Sequence, residues 1–149
     1  MTRFQSQIQL YLRIALAIGY LKLGGDRLGF WGPYGKAFVS WGDWKHFMEY
    51  ASQVMGFLPS SLISIFAVAA TIAEILFGIL LLVGKWTRLA AIGSGVLTFL
   101  FAVSMAISNG IQDPIGYSVF TVSAASFLLA TIPFYKWSID ERKPLKNKY

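Results

Sequence analysis

The sequence LISIFAVAATIAEILFGILLLV, residues 62–83, is an apolar run interrupted by a single ionisable residue, Glu74. A membrane-spanning helix needs roughly 20 apolar residues, so this run predicts a transmembrane segment. A carboxylate in the middle of such a segment costs at least about 2.5 kcal/mol on insertion scales, and it is rare unless it is paired or functional. Glu74 is therefore the first candidate for a functional residue.

The composition of the whole chain is that of a membrane protein. Of its 149 residues, 56% are hydrophobic and 13% are charged, whereas soluble domains carry roughly 25% charged residues. The length allows one domain, so we expect residues 1–149 to form a single membrane domain. The net charge is +6, but the basic residues stand at segment ends and in the tail, as orientation signals do. Nucleic acid is therefore not an expected partner.

The residue types exclude several kinds of redox chemistry in this chain. The sequence has no cysteine, which excludes disulfides, thiol catalysis and protein-bound iron–sulfur clusters. His46 is the only histidine, which excludes a bis-histidine haem. We accordingly predict no metal site, no catalytic residue and no cofactor held by the chain's own side chains, and we keep a quinone or a lipid as candidate ligands.

The apolar pattern predicts an all-α integral membrane four-helix bundle. The four spans cover approximately residues 8–29, 60–84, 88–108 and 114–135. A signal peptide is the alternative interpretation of the first, but Arg13 within the apolar run argues against it. Small residues recur every three or four positions along the third span, which is typical of helices that pack closely in lipid. Asp113 and Pro114 would start the fourth span as its cap and first-turn proline.

The basic residues predict the orientation of these spans. Four spans place both termini on one side of the membrane, and that side would carry eight basic residues against three on the other. The eight are Arg3, Lys85, Arg88, Lys136, Arg142, Lys143, Lys146 and Lys148, and the three are Arg27, Lys36 and Lys45. This bias predicts cytoplasmic N- and C-termini and a polar, basic tail over residues 136–149.

The first loop combines aromatic residues with an amphipathic segment. A helix over about residues 43–56, capped by Asp43, is predicted to lie along the membrane interface, with His46 solvated on its polar face. The aromatic rings suit the headgroup level, and a lid over a binding pocket is the alternative. These residues include Trp31, Trp41 and Trp44.

Glu74 is expected to face a neighbouring helix and to pair with Lys22. On an ideal helix Glu74 shares one stripe with the small residues Ala67 and Gly78. Depth in the membrane and the lean of side chains towards helix N-termini bring Lys22 and Glu74 together. Arg13 is expected to extend to the cytoplasmic headgroups, and a pairing of its long side chain with Glu74 is the alternative. Two roles for Glu74 stay open, a structural ion pair or hydrogen-bonded carboxyl, and direct ligand binding or proton transfer.

Two stretches of the chain resemble the DoxX family of small four-helix bacterial membrane proteins. RIALAIGYLKLGGDRLGF, from Arg13, is similar to the family's pattern of an Arg near the start and a Gly-x-x-Lys near the outer end of the first helix. Gly24 and Arg27 match the latter, with Arg in place of Lys, and Leu23 stands where many members have His. AEILFGILLLVGKWTRLAA resembles the family's Ala-Glu, Leu-Gly and Thr-Arg pattern through Ala73, Glu74, Gly84, Thr87 and Arg88.

The resemblance implies a protein of the bacterial inner membrane. Some DoxX relatives are associated with a membrane thiosulfate:quinone oxidoreductase and others with oxidative-stress assemblies. The implied function is an accessory or quinone-interacting subunit of such an assembly, not catalytic alone. Its polar head-group site would comprise Lys22, Asp26, Arg27 and Glu74 beneath the aromatic loop, with Arg13 as a further member.

Two other functions stay open at this point. One is a small oligomeric transporter or channel with Glu74 as the coupling group. The other is a structural bundle that binds partner proteins, in which Glu74 matters only to stability. For Asp26, a purely local pair with Lys22, four residues away, is the simpler interpretation. The expected partners are membrane lipids, together with redox proteins or further copies of the chain.

Overall fold

The computed structural model describes residues 2–142, which form helices and no strand. The six α-helices are α1 (Arg3–Arg27), α2 (Trp44–Val54), α3 (Ser60–Val83), α4 (Thr87–Asn109), α5 (Gln112–Gly116) and α6 (Val119–Thr131), and a 3-10 turn follows at Asp140–Arg142. Three lysines of the predicted basic tail, Lys143, Lys146 and Lys148, lie outside the described residues.

Within the described part of the chain, α3 and α4 are the two helices long and apolar enough to cross a membrane. They contain 24 and 23 residues, which suffices for a hydrocarbon layer of about 30 Å. In the most apolar 18-residue stretch of each helix, only 28% of α3 and 39% of α4 is buried. Most of their large apolar side chains therefore point outward, as in a helix that faces lipid and unlike the core helix of a soluble protein.

The first predicted span is a helix, but its composition is not that of an apolar span. It begins at Arg3 and not near residue 8, because Thr2 and Gln5 form a capping box in which each side chain accepts the other's backbone N–H. Polar side chains occupy its buried face. They are Ser6, Gln9, Arg13, Asp26 and Arg27.

The predicted fourth span over residues 114–135 is wrong as one continuous helix. The chain forms the short α5 and the 13-residue α6, separated where Ser118 takes a left-handed conformation with φ 57°. α6 ends at Thr131 because Ile132 precedes Pro133 and is extended, as the clash with a following proline ring requires. A bundle of four uninterrupted spans is therefore not found among residues 2–142.

Small residues allow the helices to approach closely, as the spacing predicted. α1 packs mainly on α3, and α4 packs mainly on α6. A Cβ atom on Gly78 of α3 would lie 2.8 Å from Leu21 Cγ and 3.3 Å from the Ala17 carbonyl oxygen of α1, so the two backbones meet here. On α4 the buried face carries the predicted small residues Ala91, Gly95, Thr98 and Ala102.

A buried hydroxyl cluster ties α1 to α4 and α6. The Tyr20 hydroxyl lies 2.9 Å from Thr98 Oγ1 and 3.0 Å from Ser126 Oγ. Ser123 Oγ donates to the Gly95 carbonyl at 2.8 Å, which joins α6 to α4 a second time. Because buried hydroxyls that lack partners are costly, these contacts favour one mutual arrangement of the three helices.

The C-terminal segment, residues 133–142, folds back over the end of the molecule that contains the N-terminus. The Asp140 N–H donates to the Gly84 carbonyl at 2.9 Å. The Asp140 carboxylate accepts the backbone N–H groups of Trp86 at 2.9 Å and Thr87 at 2.7 Å. Asp140 thus supplies the cap of α4, whose own N-cap residue makes no side-chain cap bond.

Replacing Asp140 with alanine is expected to destabilise the protein by about 1 kcal/mol, the usual cost of a lost helix cap. Thermal unfolding in detergent would show a lower Tm for Asp140→Ala, and Asp140→Asn, which keeps an acceptor oxygen, would fall between it and the wild type. An unchanged Tm for Asp140→Ala would rule out this capping role.

Candidate functional site

Glu74 forms a buried ion pair with Arg27, the last residue of α1. Arg27 Nη1 lies 2.6 Å from Glu74 Oε2, and the two side chains are only 3% and 2% exposed. Arg27 Nη1 also donates to Thr71 Oγ1 at 2.8 Å, and Thr71 Oγ1 in turn donates to the Ala67 carbonyl at 2.8 Å. The small-residue stripe of α3 therefore holds a charged pair against the end of α1.

Aromatic rings cover the other side of the Arg27 guanidinium. Its Cζ lies 4.0 Å from the ring centre of Phe47 in α2 and 5.2 Å from that of Trp41 in the first loop. The two rings pack edge to face with their centres 5.2 Å apart. Such a desolvated cation over aromatic faces is stabilised by up to about 2 kcal/mol. Arg27 consequently connects α1, α2, α3 and the first loop.

Asp26 holds the first loop through its backbone. Its carboxylate accepts the N–H groups of Ser40 at 2.8 Å, Trp41 at 3.2 Å and Gly42 at 2.9 Å, and the Lys22 ammonium at 3.1 Å. Asp26 is fully buried, so these four donors replace the water that a carboxylate would otherwise bind.

A glycine is required at position 42 of this loop. Gly42 has φ 71°, and a Cβ atom there would collide with the backbone of Pro33 and Tyr34.

The predicted pairing of Glu74 with Lys22 is wrong. Lys22 donates instead to Asp26 and, at 3.2 Å, to the Ser40 hydroxyl, which bears out the local pairing considered for Asp26. Lys22 and Arg27 are separated by about 140° around the helix. The rotation of α1 turns Arg27 towards α3 and leaves the Lys22 side chain 39% exposed.

Arg13 is buried and not exposed to headgroups as expected. It is only 2% exposed, and its Nη2 donates to the Trp137 carbonyl at 2.7 Å. Gln9 Nε2 donates to the Lys136 carbonyl at 3.0 Å. Arg13 thus belongs to the anchoring of the C-terminal segment and not to the cluster around Glu74.

The polarity of α1 contains the signal that sequence reasoning missed. Arg13 and Arg27 are 14 residues apart, which on an ideal helix brings them within about 40° of each other, and they therefore share a face. This face, which also carries Gln9 and Tyr20, is the buried one. The choice of Lys22 rested on depth in the membrane and on the lean of its side chain, and neither fixes the rotation of α1 about its axis.

His46 sits at the start of α2 next to its capping residue. Asp43 accepts the His46 backbone N–H at 2.9 Å and lies 2.8 Å from His46 Nδ1, which confirms the predicted cap. The His46 backbone N–H, followed by its ring, lowers the pKa of Asp43, so the carboxyl is ionised at neutral pH. The Tyr34 ring stacks on the imidazole at 4.0 Å, which attaches the first loop to α2.

Of the aromatic residues predicted in this region, one contacts a buried charge and the others point outward. Trp41 lies against Arg27, whereas Trp31, whose Nε1 donates to the Lys22 carbonyl at 2.8 Å, and Trp44 are partly exposed. Phe38, which sequence reasoning did not single out, is 94% exposed and has φ 67°. A bulky residue in this region of φ is a genuine conformational outlier.

The described residues contain no group of three or more His, Asp or Glu side chains that could hold a metal ion. Two open clefts, of about 290 and 450 Å³, lie beside the C-terminal segment. At the Glu74 site, Arg27 Nε is buried and lacks a hydrogen-bond partner.

Comparison with known proteins corrects the DoxX expectation. A family model described as methylamine utilisation protein MauE matches residues 7–114, which is more than two thirds of the chain. No curated protein matches, and no solved structure matches.

The match includes α1 from residue 7 onward, the first loop, α2, α3 and α4, and therefore every residue of the cluster around Glu74. With its apolar α3 and α4, the protein is a membrane protein. The chain belongs to the MauE family of methylamine utilisation proteins and not to the DoxX family.

Proposed function

We propose that the protein is a non-catalytic accessory subunit of a membrane assembly that serves methylamine utilisation or a related redox process. Its proposed role is to present the aromatic loop, residues 30–43, to a partner protein. In the proposed arrangement the chain is one domain of the bacterial inner membrane, with cytoplasmic termini. α1, α3, α4 and the α5–α6 pair would make four crossings, and α2 would lie along the opposite surface.

The conformation of Phe38 is the observation that carries this proposal. Its side chain is 94% exposed, and its φ of 67° costs about 1–2 kcal/mol for a residue with a Cβ atom. Strained residues persist where the surrounding structure fixes them, and they cluster at functional sites. Because the protein keeps the Phe38 ring exposed despite this free-energy cost, the ring is suited to contact another molecule.

The loop is fixed from beneath by the cluster at the end of α1. Asp26 binds the backbone of residues 40–42, and Arg27 packs under Trp41. A preformed loop loses less conformational entropy on binding than a mobile one. We therefore assign the buried charges the role of supporting the docking surface.

The chemistry of such an assembly would lie with the partner. The sequence has no cysteine, so thiol or disulfide reactions need a second protein. Phe30, Trp31, Tyr34 and Phe38 are all exposed on the loop, and aromatic residues of this kind are enriched where proteins bind one another. The proposed partner is therefore a protein with an apolar pocket on the side of the membrane opposite the termini.

Replacing Phe38 with alanine is expected to weaken partner binding at least about tenfold without unfolding the protein, as truncation of an aromatic hot spot does. Tagged protein would be purified from native membranes in mild detergent, and its stoichiometric partner quantified by mass spectrometry. Phe134→Ala is the matched control, because Phe134 is also exposed, at 52%, but lies in the C-terminal segment and not in the aromatic loop. Equal recovery of the partner with Phe38→Ala would refute the assignment of the loop.

One observation favours a second candidate, a polar head group of a quinone or lipid bound beneath the loop. Arg27 Nε is buried without a hydrogen-bond partner and would gain one from a carbonyl or phosphate oxygen. Extraction of purified protein with organic solvent would detect a stoichiometric quinone or lipid. If a Glu74→Gln variant of unchanged stability still contained that quinone or lipid, the ligand would bind at a site other than the one beneath the loop.

A further inference from the structure

A cleft of about 290 Å³ opens between the start of α1 and the C-terminal segment. Its lining consists of Arg3, Ser6, Lys136, Trp137 and Glu141. This site is separate from the aromatic loop, because it lies at the beginning of α1 whereas the loop follows the end of that helix.

The cleft lies at the level of a membrane surface. The C-terminal segment contacts the turn between α3 and α4, since Asp140 binds the backbone of Gly84, Trp86 and Thr87. α3 and α4 are the two helices suited to crossing the membrane, so the turn between them emerges where the headgroups begin. A lipid beside this turn would bring its phosphate to the cleft and its chains to the outward apolar faces of the helices.

Buried side chains of α1 hold the C-terminal segment that forms one wall of the cleft. Arg13 and Gln9, only 2% and 0% exposed, donate to the carbonyls of Trp137 and Lys136. Glu141 accepts the Trp137 N–H at 2.7 Å, which leaves Trp137 held from both sides at φ 53°. Its indole is 56% exposed and stands where tryptophan is favoured in membrane proteins, between apolar and wet surroundings.

The charges around the cleft select an anion. Arg3 is exposed and makes no hydrogen bond or ion pair with the described residues, and Lys136 pairs with Glu141 at 3.1 Å across an exposed contact, which is a weak interaction. Arg3 is also the first residue of the 25-residue α1, whose first turn carries positive partial charge. Lys85 and Arg88, at the turn between α3 and α4, add two further basic residues at this end.

We propose that this cleft binds the phosphate of an anionic phospholipid, with Arg3 and Lys136 contacting the phosphate oxygens and Trp137 packing against the glycerol and upper acyl chain. The basic residues supply the attraction to an anionic membrane surface. Trp137 and the neighbouring apolar helix faces distinguish a lipid from a free anion. This inference does not depend on the proposed partner of the aromatic loop.

The test is a lipid titration of delipidated protein in detergent. Short-chain phosphatidylglycerol, short-chain phosphatidylcholine and inorganic phosphate are added separately, and binding is followed by native mass spectrometry and by the rise in Tm. Phosphatidylglycerol is expected to bind at least about tenfold more tightly than phosphatidylcholine, as the charge difference requires. Equal binding of the two lipids would overturn the proposal, and stabilisation by inorganic phosphate equal to that by phosphatidylglycerol would overturn the assignment to a lipid.

Variants locate the site on the protein. Arg3→Gln combined with Lys136→Gln is expected to weaken phosphatidylglycerol binding about 30-fold, because each cation near the surface contributes roughly fivefold. Lys36→Gln with Lys45→Gln removes two cations at the opposite end and should bind as the wild type does. Arg3→Gln alone breaks no hydrogen bond or ion pair among the described residues, so it keeps the test valid if the double variant fails to fold. Unchanged binding by Arg3→Gln would refute the proposed contact.

Discussion

Replacing Glu74 with alanine is expected to lower the free energy of unfolding by about 3–5 kcal/mol, the cost of leaving one partner of a buried ion pair without the other. Arg27 would then be a buried cation enclosed by Thr71, Phe47 and Trp41. The measurement is reversible unfolding in detergent, followed by tryptophan fluorescence.

A double variant separates a structural pair from a functional carboxylate. Arg27→Met with Glu74→Leu removes both charges and keeps apolar volume, so it should recover most of the stability lost in Glu74→Ala. If the pair is structural, this variant should also retain partner binding. Restored stability with lost partner binding, or with lost ion flux in proteoliposomes, would instead make Glu74 or Arg27 a functional group.

Replacing Asp26 with alanine is expected to release the aromatic loop. The N–H groups of Ser40, Trp41 and Gly42 would lose their acceptor, and buried donors without partners cost about 1–3 kcal/mol each unless the loop rearranges to reach water. Hydrogen exchange of these three amides should accelerate by at least about tenfold, and the strained conformation of Phe38 would no longer be maintained.

The conservative variant Asp26→Asn is the control for this prediction. It retains a side-chain oxygen but loses the charge and one acceptor, so amide exchange and partner binding should be intermediate between those of the wild type and Asp26→Ala. Exchange rates that do not change in Asp26→Ala would show that the loop is held by other contacts.

Long apolar runs and their end signals made α3 and α4 predictable. α3 follows Pro59 and ends before Gly84, whose φ of 69° is the usual glycine conformation after a helix. The capping role of Asp43 was predictable for the same reason, because a cap depends on residues within one turn. These elements are set by local sequence and need no knowledge of the remaining helices.

The partner of Glu74 was not predictable by the same reasoning, because it depends on the rotation of α1 about its axis. The buried face of α1 is its more polar face, with Gln9, Arg13 and Arg27 turned inward. Each of these side chains donates a hydrogen bond to a group distant in sequence, such as the carbonyls of Lys136 and Trp137. Depth in the membrane and the lean of side chains, on which the choice of Lys22 rested, do not determine this rotation.

The DoxX resemblance rested on features that local structure explains. Gly84 provides the left-handed residue that ends α3, and Thr87 begins α4 after a short turn. Any tight connection between two membrane helices favours such residues. The Ala-Glu pair at Ala73 and Glu74 reflects close packing beside one buried charge, so none of these residues distinguishes one family of small membrane proteins from another.

Photo-cross-linking from the position of Phe38 in native membranes tests whether the aromatic loop docks a partner protein. A photoreactive phenylalanine placed there should form a covalent adduct with one protein partner, whereas the same residue at Phe134 should not. The adduct should decrease in the Asp26→Ala background, where the loop is released. Cross-links from position 38 to lipid alone would contradict the proposal that the aromatic loop is a docking surface for a protein.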